Sequence, residues 1–263
     1  MNKINIGGDR LAKLWENDNF TNQNIPFLFN MKIYEYDMKE AGFSLTKEFA
    51  LLDPKIIEKL SKYKKDKRKV ELGLIQRKDA NYRNDLKLAF KEARRFFFEE
   101  NNLDDNDVIS IKKDAIFTKR KCEKTKFGNY IEFRVKNEYT SYIKLDKKLE
   151  FYYRENTLDI KGMNEENMKY HKDYMISFII RFFNKMETSD KKDVIEFVKR
   201  FIDKYKWREL EVGYYRTFDF NSCYRVLGDD ENAFMEYYEK DKDDLDISYN
   251  FNNILLKLLQ IPL

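Results

Sequence analysis

Two aspartates stand where the sequence predicts that strands end. Asp37 closes the segment Met31–Asp37, in which Ile33 and two tyrosines indicate a strand. Asp114 lies at or near the turn of a predicted hairpin, Val108–Phe117, whose two apolar runs flank a charged centre. Two carboxylates on neighbouring strands are what a two-metal phosphoryl-transfer site requires. Aspartate is also a common turn residue, so spacing alone leaves both interpretations open.

The elements that must position these aspartates alternate between helical and strand patterns. Residues 44–100 are predicted to be helical, most clearly where Leu86, Phe90, Ala93 and Phe97 form one face. Arg94 on the same helix is expected to point away from that face. Further strands are predicted at 130–135, 139–145 and 149–153, followed by helices at about 164–186 and from about 189. The order of these elements indicates an α+β fold.

The composition predicts a globular protein with an unevenly charged surface. Hydrophobic residues make up 42% of the chain, and its 8 Gly and 3 Pro are too few for a loop-rich fold. The net charge of +4 combines basic runs at 55–78 and 112–126 with an acidic run at 229–246. Such segregation is typical of a surface that binds a polyanion, although solvated helix faces would look the same. The Lys, Asn, Ile, Tyr and Phe content suggests an AT-rich source such as a bacterial virus or a low-GC bacterium.

Several features predict a soluble, cytoplasmic protein. The N-terminus lacks the apolar stretch of a signal peptide, and no segment approaches the roughly 20 apolar residues of a membrane span. Cys122 and Cys223 lack metal-ligand spacing and are expected to be reduced thiols. With His171 as the only histidine, no zinc site is expected. The strand Glu132–Lys136 superficially resembles the Glu-x-Lys strand of nucleases, but an arginine occupies the place of the lysine.

Four stretches, taken in order, resemble the palm of family B DNA polymerases. Tyr36–Ser44 is similar to the first palm motif, in which a strand delivers an aspartate into a short turn. Ile109–Phe117 is similar to the hairpin motif Tyr-Gly-Asp-Thr-Asp-Ser, with Asp114 at the second acid. Tyr139–Tyr153 resembles the strand and Lys-Lys-x-Tyr-like segment of that family. Leu158–Gly162 then resembles the Asp-x-Lys-Gly turn that leads into the thumb.

The resemblance extends over roughly residues 31–175 and implies a compact palm without a proofreading exonuclease domain. It implies an N-terminal lead (1–30), a palm-like antiparallel sheet (31–45 and 107–162), a helical fingers-like insertion (46–106), and a helical thumb-like region with a tail (163–263). The expected localisation includes the cytoplasm of a virus-infected host cell.

The resemblance also implies a reaction, template-directed nucleotide addition with two Mg²⁺ ions held by Asp37 and Asp114. The implied partners are a primed nucleic-acid template, nucleotides, and an accessory or complementary polymerase subunit, but no membrane. The implied contacts to primer or other nucleic acid are Lys112, Lys113, Lys147, Lys148 and Lys161. The implied nucleotide-binding residues are Gly42, Phe43, Lys69, Arg77, Lys78 and Tyr82.

Two departures from the family pattern leave alternatives open. Lys112 replaces the first acid of the hairpin motif, and Gly42 takes the place of the tyrosine that screens the sugar, with Phe43 next to it as a substitute. The alternatives are a non-catalytic nucleic-acid-binding or replisome-assembly subunit, and one chain of a split polymerase. The apolar tail 254–263 is expected either to pack on its own core or to dock on a partner subunit.

Overall fold

The computed structural model of the protein describes residues 14–145, 149–162, 176–207 and 209–210. These residues form two antiparallel sheets and six helices, which confirms the predicted α+β class. They belong to two compact units. The first contains the described residues up to Asn24 together with Lys32–Glu138, and the second contains Ile25–Met31 together with the described residues from Tyr139 onward.

The described residues form ten strands and six helices. In chain order the elements are β1 Asn19–Thr21, β2 Phe27–Leu28, β3 Ile33–Met38, α1 Ala41–Glu48, α2 Pro54–Ser61, α3 Lys65–Lys78, α4 Ala80–Glu100, β4 Val108–Lys112, β5 Ala115–Thr118, β6 Lys126–Phe127, β7 Ile131–Tyr139, β8 Ser141–Lys144, β9 Glu150–Arg154, β10 Thr157–Lys161, α5 Ser177–Thr188 and α6 Lys191–Lys206. The sheet orders are β1-β4-β5-β3-β7-β6 and β10-β9-β8-β2.

The six-stranded sheet of the first unit has one apolar face that packs on α4. Tyr36, Ile116 and Ile111 lie in register on neighbouring strands and are all buried. The ring of Tyr36 lies 5.1 Å from that of Phe97 on α4. The predicted apolar face of this helix is confirmed, since all four of its residues are buried in the same core. The next residues along these strands point to the opposite face of the sheet, because side chains alternate along a strand.

Three helices of the first unit, α1, α3 and α4, pack against one another. α4 begins where the Asp79 carboxylate accepts hydrogen bonds from the backbone of Asn81 and Tyr82, which satisfies N–H groups that have no partner within the helix. α3 begins at Lys65 after Lys64, which makes no side-chain cap. The N-terminus of α3 therefore combines a cationic sequence with the positive end of the helix dipole.

The second unit packs its four-stranded sheet against α5 and α6. Phe178, Phe182 and Val198 on the helices are buried with Ile143 and Phe151 on the strands. The aromatic rings of α5 and α6 are in contact, with ring centroids as close as 4.0 Å. This core is separate from that of the first unit.

The structure differs from the sequence-based expectations in three places. The lead 1–30 contains strands that were not predicted, because β1 pairs with β4 and β2 pairs with β8. The strands expected in one sheet up to residue 162 form two sheets. Leu158–Gly162, expected to be a turn, lies mostly in the strand β10, and Gly162 directly after this strand has a positive φ of 91°.

Some predicted features lie outside the described residues. These are Lys147, Lys148, His171, Cys223, the acidic run 229–246 and the tail 254–263. Within the described ranges, no helix has both the length and the apolar character needed to cross a membrane.

Arg94, which was expected to point away from the apolar face of α4, is completely buried. Its guanidinium donates to the carbonyl oxygens of Trp15 and Lys113 and to the Asp18 carboxylate, each at 2.8 Å. Burial lowers the pKa of Arg94, and the hydrogen bond to Asp18 opposes that effect. This side chain therefore links α4, the segment before β1 and the turn between β4 and β5.

We expect Arg94→Met to lower the free energy of unfolding by about 3 kcal/mol, because it removes a set of buried, charge-assisted hydrogen bonds. Arg95→Met is the matched control, since the neighbouring Arg95 pairs with Glu92 and Glu99 near the surface. It should change stability by less than about 1 kcal/mol. Denaturant unfolding of both variants measures the difference, and equal losses would contradict a bracing role for Arg94.

Candidate functional site

The structure brings Asp37 and Asp114 together, as the sequence predicts. Asp37 in β3 lies in register with Ala115, the first residue of β5, and Asp114 immediately precedes Ala115 in the turn. The backbone N–H of Met38 donates to the Asp114 carbonyl at 3.1 Å. This pairing places both aspartates at the same end of the two strands and on the wall of one cavity.

The turn that carries Asp114 is held from two sides. Lys113 adopts a left-handed conformation with φ 57°, which is unusual for a residue with a side chain. Its N–H donates to the Asp18 carbonyl at 2.6 Å, and its own carbonyl accepts the hydrogen bond from Arg94. The predicted position of Lys112, Lys113 and Asp114 at the hairpin turn is therefore confirmed, and the turn is supported by residues distant in sequence.

Lys112 lies on the same sheet face as Asp37 but two strands away. It is in register with Ala115, which is in turn in register with Asp37, so the α-carbons of Lys112 and Asp37 are about 10 Å apart at the usual strand spacing. The Lys112 ammonium group donates to the Thr21 hydroxyl at 3.0 Å. Its side chain thus contacts β1, on the side of β4 opposite to Asp37, and it is not part of the cavity wall.

The cavity beside the two aspartates has a volume of about 440 Å³ and walls from β3, the β4–β5 turn, β7, α1, α3 and α4. Its acidic wall residues are Asp37, Glu40 and Asp114. Its basic wall residues are Lys65, Arg68, Lys69, Lys113 and Arg134. The described wall therefore carries more positive than negative side chains, with the two aspartates among the acids.

Arg68 is the most constrained of the basic residues. It donates to the Glu40 carboxylate at 2.7 Å and to the Tyr63 carbonyl at 2.8 Å, and its guanidinium lies 4.4 Å from the ring centroid of Phe43. Its Nε is buried and has no hydrogen-bond partner among the described residues. Glu40, the other half of this ion pair, has a left-handed backbone with φ 46° immediately before α1.

Four of the six residues predicted to bind a nucleotide line this cavity. They are Gly42, Phe43, Lys69 and Tyr82. Arg77 and Lys78 are exposed at the end of α3 and are not part of its wall. The Tyr82 hydroxyl is 2.8 Å from that of Thr46, so it pairs within the protein. Phe43 is buried beneath Arg68, and its ring has little freedom to move toward a sugar.

The predicted contacts to primer or nucleic acid fall in different parts of the protein. Lys113 is exposed at the cavity wall, 5.2 Å from the Phe90 ring centroid. Lys161 belongs to the second unit, where it lies in register with Glu150 in β9 and β10. Lys147 and Lys148 lie outside the described residues.

The sequence did not predict that Lys65, Arg68 and Arg134 line one cavity. Lys65 and Arg68 appeared only as members of a basic run, and Arg134 only as a mismatch to a nuclease strand. A signal was present for the first two, because positions 65, 68, 69, 72, 73 and 76 have the spacing of one helix face. Arg134 could not be placed, since its approach to 3.9 Å from the Asp37 carboxylate depends on the pairing of β7 with β3.

The pKa of Asp37 is raised above its ordinary value, mainly because the carboxylate is partly buried. Lys136 and Arg134 lower this pKa, whereas the negative charges of Asp114 and Glu35 raise it. Ionised Asp37 is therefore destabilised by its partial burial and would be favoured by additional positive charge. Across the described residues, no cluster of three or more Asp, Glu, His or Cys side chains could hold a metal ion.

We expect Asp37→Asn to stabilise the fold at neutral pH in metal-free buffer. A carboxylate with a raised folded-state pKa contributes stability below its unfolded-state pKa and loses that contribution as the pH rises through the folded-state value. Asparagine has no charge to bury, so its advantage should be present at pH 7 and absent at about pH 3. Urea unfolding at both pH values tests this, and a variant that is less stable at pH 7 would contradict it.

Comparison with known proteins identifies a family for the chain. A search of curated proteins finds no match to the chain. One family model matches residues 10–263, and its description is Bacteriophage PBS1 gene 130 protein. A phage family agrees with the bacterial-virus source that the composition suggested. Because this match covers almost all of the 263 residues, the chain belongs to the Bacteriophage PBS1 gene 130 protein family.

Proposed function

We propose that this chain is a template-directed nucleotidyltransferase core that resembles the palm of family B DNA polymerases and acts in the cytoplasm of a phage-infected cell. The observation that carries the proposal is the convergence of Asp37 and Asp114 on a cavity whose wall from α3 supplies Lys65, Arg68 and Lys69. Carboxylates and cations on the wall of one cavity are suited to a substrate that carries phosphates and divalent metal together.

The basic wall residues bind the phosphates of the incoming nucleotide. Lys65 and Lys69 have no ion pair among the described residues, so their charges are available to a ligand. Arg68 is held in place by Glu40 and Phe43 and still has an unbonded Nε. The N-terminus of α3 adds positive potential at Lys65. Phosphate binding therefore needs little rearrangement of the wall.

Asp37 and Asp114 are the residues that would hold Mg²⁺. Magnesium is commonly bound by one or two carboxylates, with substrate phosphates and waters completing its shell, so a pair without a third protein ligand fits an ion that arrives with the nucleotide. Of two bound Mg²⁺ ions, one would activate the attacking 3′-oxygen and the other would neutralise the leaving pyrophosphate. The raised pKa of Asp37 supports this assignment, because a nearby cation would offset the cost of ionising it.

Two observations favour a non-catalytic nucleic-acid-binding or replisome-assembly subunit as the second candidate. Lys112 stands where family B DNA polymerases have an acid. The Arg134 guanidinium is 3.9 Å from Asp37, where it partly neutralises that carboxylate. The third candidate, one chain of a split polymerase that needs a complementary subunit, would share both features. Primer extension by the purified chain alone distinguishes the first candidate from the other two.

Replacing either carboxylate should abolish primer extension while leaving nucleic-acid binding in place. Removing one electrostatic contact to a transition state typically reduces the rate by about 10²–10³-fold, and loss of a metal should reduce it further for Asp37→Asn and Asp114→Asn. Extension with Mg²⁺ or Mn²⁺ measures the rate, and a mobility-shift assay with primed template measures binding. Full activity in both variants, or no activity in the wild type with any divalent metal, would favour the non-catalytic candidate.

Lys112→Asp is the control for the hairpin in these assays. It adds a carboxylate where family B DNA polymerases have one. Its effect on primer extension should be neutral or activating if the β4–β5 hairpin is a working metal site. Because Lys112 contacts Thr21 and not the cavity, the substitution leaves the phosphate-binding wall unchanged. Inactivation by Lys112→Asp, with the fold intact, would count against the metal assignment.

The cavity should discriminate weakly against ribonucleotides. A β-carbon built on Gly42 would meet nothing within 4 Å, so the wall leaves room for a 2′-hydroxyl at the position where family B DNA polymerases have a tyrosine. Parallel extension assays with ribo- and deoxyribonucleotides measure the ratio, and Gly42→Tyr should increase it. A wild-type preference for deoxyribonucleotides of about 10⁴-fold or more, retained in Phe43→Ala, would contradict this expectation.

A further inference from the structure

The cavity face of α3 changes character along its length. Six residues of this helix line the cavity at the spacing of one helical face: Lys65, Arg68, Lys69, Leu72, Gly73 and Gln76. Such a face is usually apolar and packs on a core. Here its N-terminal half is cationic and its C-terminal half is neutral, so the two halves suit different parts of a ligand.

Gly73 stands in the interior of α3, where glycine is among the poorest helix formers. The protein itself does not require glycine there, because the backbone has no positive φ and a β-carbon would meet nothing within 4 Å. Gly42 on α1 lines the same cavity and has the same open space. Both glycines leave open space on the cavity wall. The recess, the part of this cavity at Leu72, Gly73 and Gln76, has no charged residue of α3 in its wall.

Gln76 gives the recess one polar group. It lies on the wall about two helical turns beyond Lys69, and within the described part of the chain its amide makes no hydrogen bond. A primary amide can donate and accept, which matches hydroxyl groups or the edge of a base. Leu72, Leu86 and Tyr82 supply apolar surface in the same cavity, which suits a ring more than a charged group.

We propose that the recess at Gly73 binds the nucleoside part of a nucleotide whose phosphates lie on Lys65, Arg68 and Lys69, and that Gly73 determines whether this part can enter. The proposal rests on the nucleotide-binding part of the proposed function and not on catalysis. A large side chain at position 73 would fill the recess while leaving the three cations in place. Nucleotides and bare polyphosphate should therefore respond differently to the same substitution.

The test compares Gly73→Leu with wild type by calorimetric titration of the magnesium complexes of the common ribonucleoside triphosphates and of inorganic tripolyphosphate. We expect Gly73→Leu to weaken binding of at least one nucleotide about tenfold or more and to change tripolyphosphate affinity less than about twofold. Leucine is a better helix former than glycine and has open space at its β-carbon, so the thermal midpoint should not fall.

Val70→Leu is the matched control, because Val70 lies on the same helix, is 62% exposed and is not part of the cavity wall. It should leave both affinities unchanged. Two results would contradict nucleoside binding in the recess without contradicting phosphate binding by α3. One is an unchanged nucleotide affinity in Gly73→Leu, and the other is a wild-type nucleotide affinity no higher than the tripolyphosphate affinity. If the wild type binds neither nucleotides nor tripolyphosphate, the proposal of a nucleotide site is wrong. If it binds nucleotides but does not extend a primer, only the proposed catalytic function is contradicted.

Discussion

The Arg94 guanidinium lies with no access to solvent, and its hydrogen bonds join three segments that are far apart in sequence. A buried guanidinium is costly unless its donors are paired, so the carbonyls of Trp15 and Lys113 must stay where they can accept. This requirement fixes the left-handed turn at Lys113 and, one residue later, the origin of the Asp114 side chain. The spacing between the two aspartates therefore depends on a residue of α4 that contacts neither of them.

The acidic and basic side chains of the cavity wall neutralise one another only in part. Glu40 pairs with Arg68 and Arg134 approaches Asp37, yet Lys65 and Lys69 have no ion pair in the described part of the chain. The acids and most of the bases come from different elements, with β3 and the hairpin turn providing Asp37 and Asp114 and α3 providing three cations. An ionised carboxylate and clustered ammonium groups both lack full compensation, so a ligand that carries a metal and phosphates would relieve both.

Local patterns predicted the parts of the site that depend on local structure. The β4–β5 hairpin and the strand before Asp37 were predicted because apolar runs bounded by charged residues specify short strands, and the apolar face of α4 was predicted from its spacing. The strands β1 and β2 were missed, since two or three residues carry no recognisable alternation and form only where a partner strand is present. The burial of Arg94 was not predicted, because a helix sequence does not distinguish a paired, buried arginine from an exposed one. The contact of Arg134 with Asp37 depends on strand order, which no sequence period encodes.

The strand β2 has a consequence for how the protein can be divided. Residues 25–31 lie between segments of the first unit in the chain, but β2 pairs with β8 in the second unit. The chain thus passes from the first unit to the second and back before it passes to the second again at Tyr139. No single cut separates the two units into contiguous fragments, and a C-terminal piece starting at Tyr139 would lack an edge strand of its sheet. During synthesis on the ribosome, residues 25–31 emerge more than 100 residues before their partner strand. The second unit can complete its sheet only after the coding region of the first has been translated.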